Sequence, residues 1–303
     1  MKSLKTAIVG CGNIAGGYDE TPGSTGTWSH AKAYQAHGGF SLAAAYDPRQ
    51  KRLSEFCSRW RVPDQAKDLA DLLQRFSPEV VSICSPNETH FDFLLQALST
   101  PSVKGIWCEK PLTLSLAQAK QVEKVAKIPV LVNYLRRWDR RLCEIGARIQ
   151  KDEFGKISGG RVLYTKGVFH NASHAINLLQ HWLGPVSSVE VAKVHEHHAG
   201  DLTADFTLVF GNSRIHFQAL DHRNFNHFEI EIFTELALLR FPGGATVEIQ
   251  KRAASKIAAG EFNLGAVETL APTISTAMEE VAANFYEAIE TVAICERIKE
   301  NNG

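Results

Sequence analysis

The chain has 303 residues, 44% of them hydrophobic and 22% charged, a make-up that fits a folded protein long enough for two cores. Lys plus Arg and Asp plus Glu both total 33, so no global field favours nucleic acid or an anionic membrane as a partner. No apolar run reaches the ~18 residues of a bilayer span, the N-terminus lacks a signal peptide's apolar stretch, and the six cysteines form no CxxC pair; a cytoplasmic protein with reduced thiols is expected.

In chain order, "LKTAIVG", "FSLAAAY", "PEVVSIC", "VKGIWC" and "IPVLVNY" read as buried strands. Helical patterns separate them at 48–60, 67–76, 89–98 and 115–126. Parallel neighbours need a long crossover, which a helix supplies, so residues 1–134 are expected to form a doubly wound parallel α/β sheet. From about residue 155 the strands lengthen and alternate: "GGRVLYTKG", "SSVEVAKVHEHH", "LTADFTLVFGN", "SRIHFQALDH", "NHFEIEIFTE", "LALLRFPGG" and "ATVEIQKR". Tight links such as "FGNSR" and "PGGA" suit hairpins, so residues 135–303 are expected to be an α+β domain on one large open antiparallel sheet. One helix, "NASHAINLLQHWLG", interrupts these strands and stops at Gly184 and Pro185. The spacing of Met278, Val281, Phe285, Ile289, Val292 and Ile298 predicts one or two closing helices over 266–299.

The first predicted strand runs into "GCGNIA". Gly10, Gly12 and Ala15 make GxGxxA: a tight turn, a bare backbone for a pyrophosphate and close helix packing, with Asn13 and Ile14 inside the loop. The helix N-terminus that follows would face the phosphates with free N–H groups. The second strand ends at Asp47, where a carboxylate can accept both adenosine ribose hydroxyls. Asp47 stands 37 positions after Gly10, against the usual interval of about 20, so "GGYDETPGSTGTWSH" is expected to loop out before the helix resumes near Ser29.

Two further segments fall at strand C-termini, the ligand-binding end of an open parallel sheet: "SPNETH", with Ser85, Pro86, Asn87 and His90, and "CEKP", with Glu109 and Lys110. With "GCGNIA" and "HNASHAIN" they give four motifs in order, and the sequence thereby resembles the Gfo/Idh/MocA family of NAD(P)-dependent oxidoreductases. The resemblance implies a Rossmann domain joined to a substrate-binding and oligomerisation domain, an NAD cofactor with NADP as the alternative, and a sugar or cyclitol substrate. It also implies that Lys110 sits by the nicotinamide and the reacting hydroxyl, that His174 is the second-domain histidine, and that the protein is a dimer or tetramer.

The chemistry agrees with those roles. Oxidising an alcohol needs a base for the hydroxyl proton, which histidine can provide, and a cation for the developing alkoxide, which lysine can provide. Many family members carry Asp four residues before the histidine and another three after it; here these are His170 and Asn177, and His170 and Asn171 are read as pocket-lining. His170 and His174 at i, i+4 also fit a metal pair, but no carboxylate follows at the right spacing and no metal is expected. In "NYLRRWDRR", Arg137 either contacts an anionic group of the ligand or lies on a solvated helix face paired with Asp139 and Glu144. The alternative class is a nonenzymatic dinucleotide sensor, which would need neither Lys110 nor His174.

Overall fold

The computed structural model describes residues 3–20, 26–37, 39–198, 201–244, 246–271, 273 and 297–300. The chain divides between Asn133 and Tyr134 into two units, each built on its own sheet. In the first, strands β1 (Leu4–Val9), β2 (Phe40–Tyr46), β3 (Asp64–Gln65), β4 (Val80–Ile83), β5 (Gly105–Cys108) and β6 (Val130–Val132) lie in the order β3-β2-β1-β4-β5-β6, all parallel. Helices α1 (His30–His37), α2 (Gln50–Trp60), α3 (Leu69–Phe76), α4 (Asn87–Leu98) and α5 (Leu116–Val125) make the crossovers. The order reverses between β1 and β4, and such a switch point opens a ligand crevice at the strands' carboxyl ends. Strand β3 has two exposed residues and no apolar run to announce it.

The glycine loop runs into a single turn, and the chain then loops out as expected before the helix resumes. Gly16 N–H bonds to Gly12 O at 3.2 Å, a short 3-10 turn covers Gly17–Asp19, and α1 starts only at His30. His30 and Ala31 then donate their N–H groups to Ile14 O (3.1 Å) and Ala15 O (2.9 Å), which resumes the helical ladder across the gap. Buried Asp19 clips the base of this excursion, accepting Trp28 N–H at 2.9 Å and the Ser29 hydroxyl at 2.6 Å. Residues 21–25 of the predicted loop lie outside the described residues.

The second unit contains a 3-10 turn (Leu135–Trp138), α6 (Arg140–Gln150), β7 (Ile157–Tyr164), a π-helical turn (Val168–Ala172) running into α7 (Ser173–Leu183), and β8 (Ser188–His198). Strands β9 (Asp201–Phe210), β10 (Ser213–Ala219), β11 (Phe228–Thr234), β12 (Ala237–Pro242), β13 (Val247–Ala254) and β14 (Phe262–Leu270) complete it. The sheet order is β14-β13-β12-β11-β7-β10-β9-β8. It is mostly antiparallel, with one correction to the expectation: β7 and β10 pair in parallel, which the long crossover through α7, β8 and β9 permits.

Most apolar residues of "FTLVF" and "FEIEIF" face inward, while Phe233 is exposed. Phe206, Leu208, Phe210, Phe228, Ile230 and Ile232 are all buried in the core with α6 and α7, where Phe206 stacks on Phe217 at 4.4 Å and Trp182 packs on Phe241 at 4.9 Å. Alternation sends Glu229 and Glu231 to the opposite face, where Arg240 bonds to Glu229 (2.7 Å), Glu231 (3.0 Å) and Glu248 (2.9 Å) and Arg161 also pairs with Glu231. The predicted helix from 266 is also corrected: 266–270 belong to β14, paired with β13. Its exposed Phe262, Leu264 and Val267 lie on an edge strand. Residues 274–296 of the expected closing helices lie outside the described residues; 297–300 are helical, with Ile298 buried. Among the described residues no helix is long and apolar enough to cross a membrane.

Candidate active site

Strand β1 delivers the chain to Gly10 at φ +86°, a region that L side chains avoid. A Cβ there would stand 2.6 Å from Ser85 N and 2.7 Å from Cys84 O, so only glycine lets the end of β1 pass the end of β4. Gly12 is the opposite case: nothing lies within 4 Å of where its Cβ would project, leaving bare backbone beside open space. Asn13 and Ile14 form the turn that follows.

Asp47, at the end of β2, is buried and bound to that loop: its Oδ2 accepts Cys11 N–H at 2.9 Å. Arg49 grips the same carboxylate from solvent, with Nε 2.9 Å from Oδ1 and Nη2 3.0 Å from Oδ2. Burial pushes the Asp47 carboxyl up, but the Arg49 guanidinium and the Cys11 and Arg49 amides outweigh it and hold it below the usual carboxylate range. A fixed acceptor beside an open glycine backbone fits the ribose and pyrophosphate of a dinucleotide.

Strand β4 ends in the "SPNETH" loop, and Asn87 opens α4. The Ser85 hydroxyl lies 2.6 Å from Thr89 Oγ1, which donates to Pro86 O at 2.7 Å. His90 is buried, with Nε2 3.0 Å from Ser85 O and Nδ1 2.8 Å from Pro111 O, so its ring ties this loop to the one after β5. There Glu109 is buried and Lys110 half-buried. Glu109 Oε1 meets His30 Nε2 at 3.0 Å and Asn133 Nδ2 at 2.5 Å. Burial raises the Glu109 carboxyl, yet the His30 bond and charge, the Asn133 amide and the Lys110 ammonium bring it below its ordinary value. Sequence reasoning missed His30 and Asn133; the one visible signal was a polar residue closing an apolar run, in "VLVN".

In the second unit, β7 ends at Tyr164 and the chain turns through Lys166 (φ +73°) and Gly167 (φ +100°) into the π-helical turn. Asp201, the first residue of β9, accepts Phe169 N–H at 3.1 Å and His170 N–H at 2.6 Å; a Cβ on Gly167 would stand 2.5 Å from its Oδ2. A carboxylate therefore reaches this turn from β9, although position 170 is histidine. Asn171 donates to Thr165 O at 3.0 Å, His170 is exposed, and half-buried His174 meets Tyr134 edge to face at 5.8 Å. Of the arginines, Arg141 pairs with Glu144 at 2.7 Å while Asp139 caps α6. Arg136 stacks over Phe228 at 4.2 Å, and burial pulls its guanidinium down to about 10. Burial also lowers Arg137, whose charge, after burial, depresses His181. Among the described residues no group of three or more His, Cys, Asp or Glu side chains could hold a metal ion.

Glycine loop, ribose-type acceptor and strand-end lysine are thus collected at one end of the parallel sheet. Residues 4–129 match the profile of the GFO_IDH_MocA oxidoreductase family, NAD-binding Rossmann fold. scyllo-Inositol 2-dehydrogenase (NAD(+)) of Bacillus subtilis is 31% identical over 121 residues, 39% of this chain and 35% of that protein. Myo-inositol 2-dehydrogenase of Thermotoga maritima is 29% identical over 118 residues, 38% of this chain and 35% of that protein. The match therefore spans about a third of the length of these curated relatives. Levoglucosan dehydrogenase in complex with NADH and L-sorbose shares the fold of the whole chain, with a TM-score of 0.76 at 16% identity, covering 99% of this chain and 96% of that one. Residues 4–129, the nucleotide-binding unit, are thus similar to the NAD-binding Rossmann part of the Gfo/Idh/MocA oxidoreductases.

Proposed function

We propose that this chain is an NAD-dependent oxidoreductase acting on a secondary hydroxyl or ketone of a sugar, cyclitol or nucleotide-sugar, in a cytoplasmic setting. The carrying observation is Lys110 at the carboxyl end of β5 beside an ionised, hydrogen-bonded Glu109. Gly10, Gly12, Asn13 and Ile14 hold the pyrophosphate and Asp47 the adenosine ribose. Ser85, Pro86, Asn87 and Glu109 line the nicotinamide end, and His90 shapes that wall. Residues 135–303 supply the substrate side through Arg137, His170, Asn171 and His174.

The bound nicotinamide supplies the hydride acceptor or donor. Lys110 Nζ holds the oxygen of the reacting carbon as its negative charge grows, and the His174 imidazole takes the hydroxyl proton. In reduction the same groups act in reverse. The test is nicotinamide reduction, followed at its absorbance band, over a panel of sugars, cyclitols and nucleotide-sugars. Turnover on one class is expected; NAD binding with no turnover on any would favour the sensor.

Asp47 repels a 2′-phosphate, so kcat/KM is expected to favour NAD over NADP by at least about tenfold, the worth of one charged hydrogen bond. Asp47→Ala should erase most of that ratio. Equal kcat/KM values in the unaltered protein would mean that Arg49 wins over Asp47.

We also propose a homo-oligomer, a dimer or tetramer. Phe262, Leu264 and Val267 leave apolar side chains on the edge strand β14, which a second copy would cover. Light scattering at micromolar concentration should give a multiple of 33.5 kDa; a single-chain mass would refute assembly.

A further inference from the structure

A line of hydrogen-bonded side chains crosses the core of the first unit and ends on the carboxylate next to Lys110. Tyr34 Oη stands 2.6 Å from Ser82 Oγ, Ser82 Oγ 2.9 Å from His30 Nδ1, and His30 Nε2 3.0 Å from Glu109 Oε1. Tyr34, Ser82 and His30 are sealed from solvent. Trp107 lies over the imidazole with ring centroids 3.7 Å apart.

An ionised carboxylate only accepts, so His30 Nε2 carries a proton. Nδ1 then meets the Ser82 hydroxyl, and the Ser82 oxygen meets Tyr34 O–H, so each polar atom of the line faces another. Every donor in the line has an acceptor, and a fully matched buried network is rigid. With Oε1 taken by His30 and Asn133, Glu109 Oε2 is left facing the Lys110 backbone N–H at 3.4 Å. The titratable groups facing Glu109 are His30, Lys110 and the thiols Cys84 and Cys108. Burial first, and then the Glu109 charge, push both thiols up and keep them neutral.

We propose that His30 is a positioning residue, which holds Glu109 as an oriented anion beside Lys110 and so sets the pH range over which Lys110 works. The effect on turnover rests on the oxidoreductase reading above; the hold on Glu109 does not. The pyrophosphate and ribose contacts proposed above use none of Tyr34, Ser82 and His30, so that part of the dinucleotide's hold is independent of these three side chains.

The test compares His30→Leu, which fills the volume without donating, with His30→Gln, whose amide can still donate to Glu109. Without its donor, Glu109 favours the neutral carboxyl, so the Leu variant should lose stability relative to the unaltered protein as pH rises above about 4.3, where the unfolded glutamate ionises. By urea unfolding, the difference expected is at least about tenfold in the folding equilibrium. On the panel substrate, kcat should fall at least about tenfold, the acid limb of the kcat profile should move to higher pH, and the NAD dissociation constant should rise by a smaller factor than kcat falls. His30→Gln should recover most of both effects. A destabilisation that is flat with pH, or an unchanged kcat profile in folded His30→Leu, would overturn the proposal. Should the Leu variant not fold, Tyr34→Phe is expected to give a smaller shift in the same direction, and no shift would overturn the proposal equally. If no panel compound is turned over even by the unaltered protein, the oxidoreductase reading fails and the stability arm alone decides whether His30 holds Glu109.

Discussion

Replacing Lys110 by Met is expected to lower kcat by about 10²- to 10⁴-fold, the usual worth of a group that stabilises charge or moves a proton in the transition state. Methionine keeps the length and apolar stem of lysine, so the end of β5 should stay folded while the ammonium is lost. NAD affinity, read by quenching of protein fluorescence, should change little, because the pyrophosphate and ribose contacts proposed above lie on the glycine loop and Asp47. The loss should therefore appear in kcat and not in the cofactor dissociation constant. Near-full turnover by the folded variant would remove Lys110 from the chemistry. The family relation would then rest on fold and nucleotide binding alone.

His174→Asn should cost a similar factor of about 10²- to 10³-fold in kcat, since asparagine keeps a polar group of comparable size but cannot take a proton near neutral pH. Two companions locate the carboxylate that position 170 lacks. His170→Ala should cost less than about tenfold, because that side chain is exposed to solvent. Asp201→Ala removes the acceptor of two amides and should reduce turnover more than His170→Ala does, with a drop in melting temperature. If His170→Ala proves the more damaging change, the imidazole at 170 has taken over the aspartate's place and Asp201 only shapes the turn.

Most of the first unit was legible in the sequence. Apolar runs bounded by turn residues marked the strands because a parallel sheet is buried on both faces, and the long interval between Gly10 and Asp47 gave away the excursion. What was not legible has physical causes. Strand β3 carries no apolar pair because it is short and at an edge. "NLGAVETL" offers Leu264, Val267 and Leu270 at spacings a helix also allows, and only pairing with β13 made it a strand. At the site, Lys110, Glu109 and Asp47 stood in local motifs. His30 and Asp201 did not: each is brought to its partner by topology, His30 from α1 to the end of β5 and Asp201 from β9 to the turn before α7.

The break in the helix after the glycine loop has an evolutionary consequence. Because His30 and Ala31 close the ladder on Ile14 and Ala15, the chain leaves and rejoins the helix at nearly the same level. Everything between is a side branch stapled at its root by Asp19. Change in the branch that spares Asp19 and the Glu20–Arg52 pair, which reaches the glycine loop at Cys11 O, is expected to leave the register of the helix and the pose of the loop in place. Mutation is thereby offered a tolerant insertion next to the glycine loop in the sequence, where new recognition can be tried without rebuilding the helix.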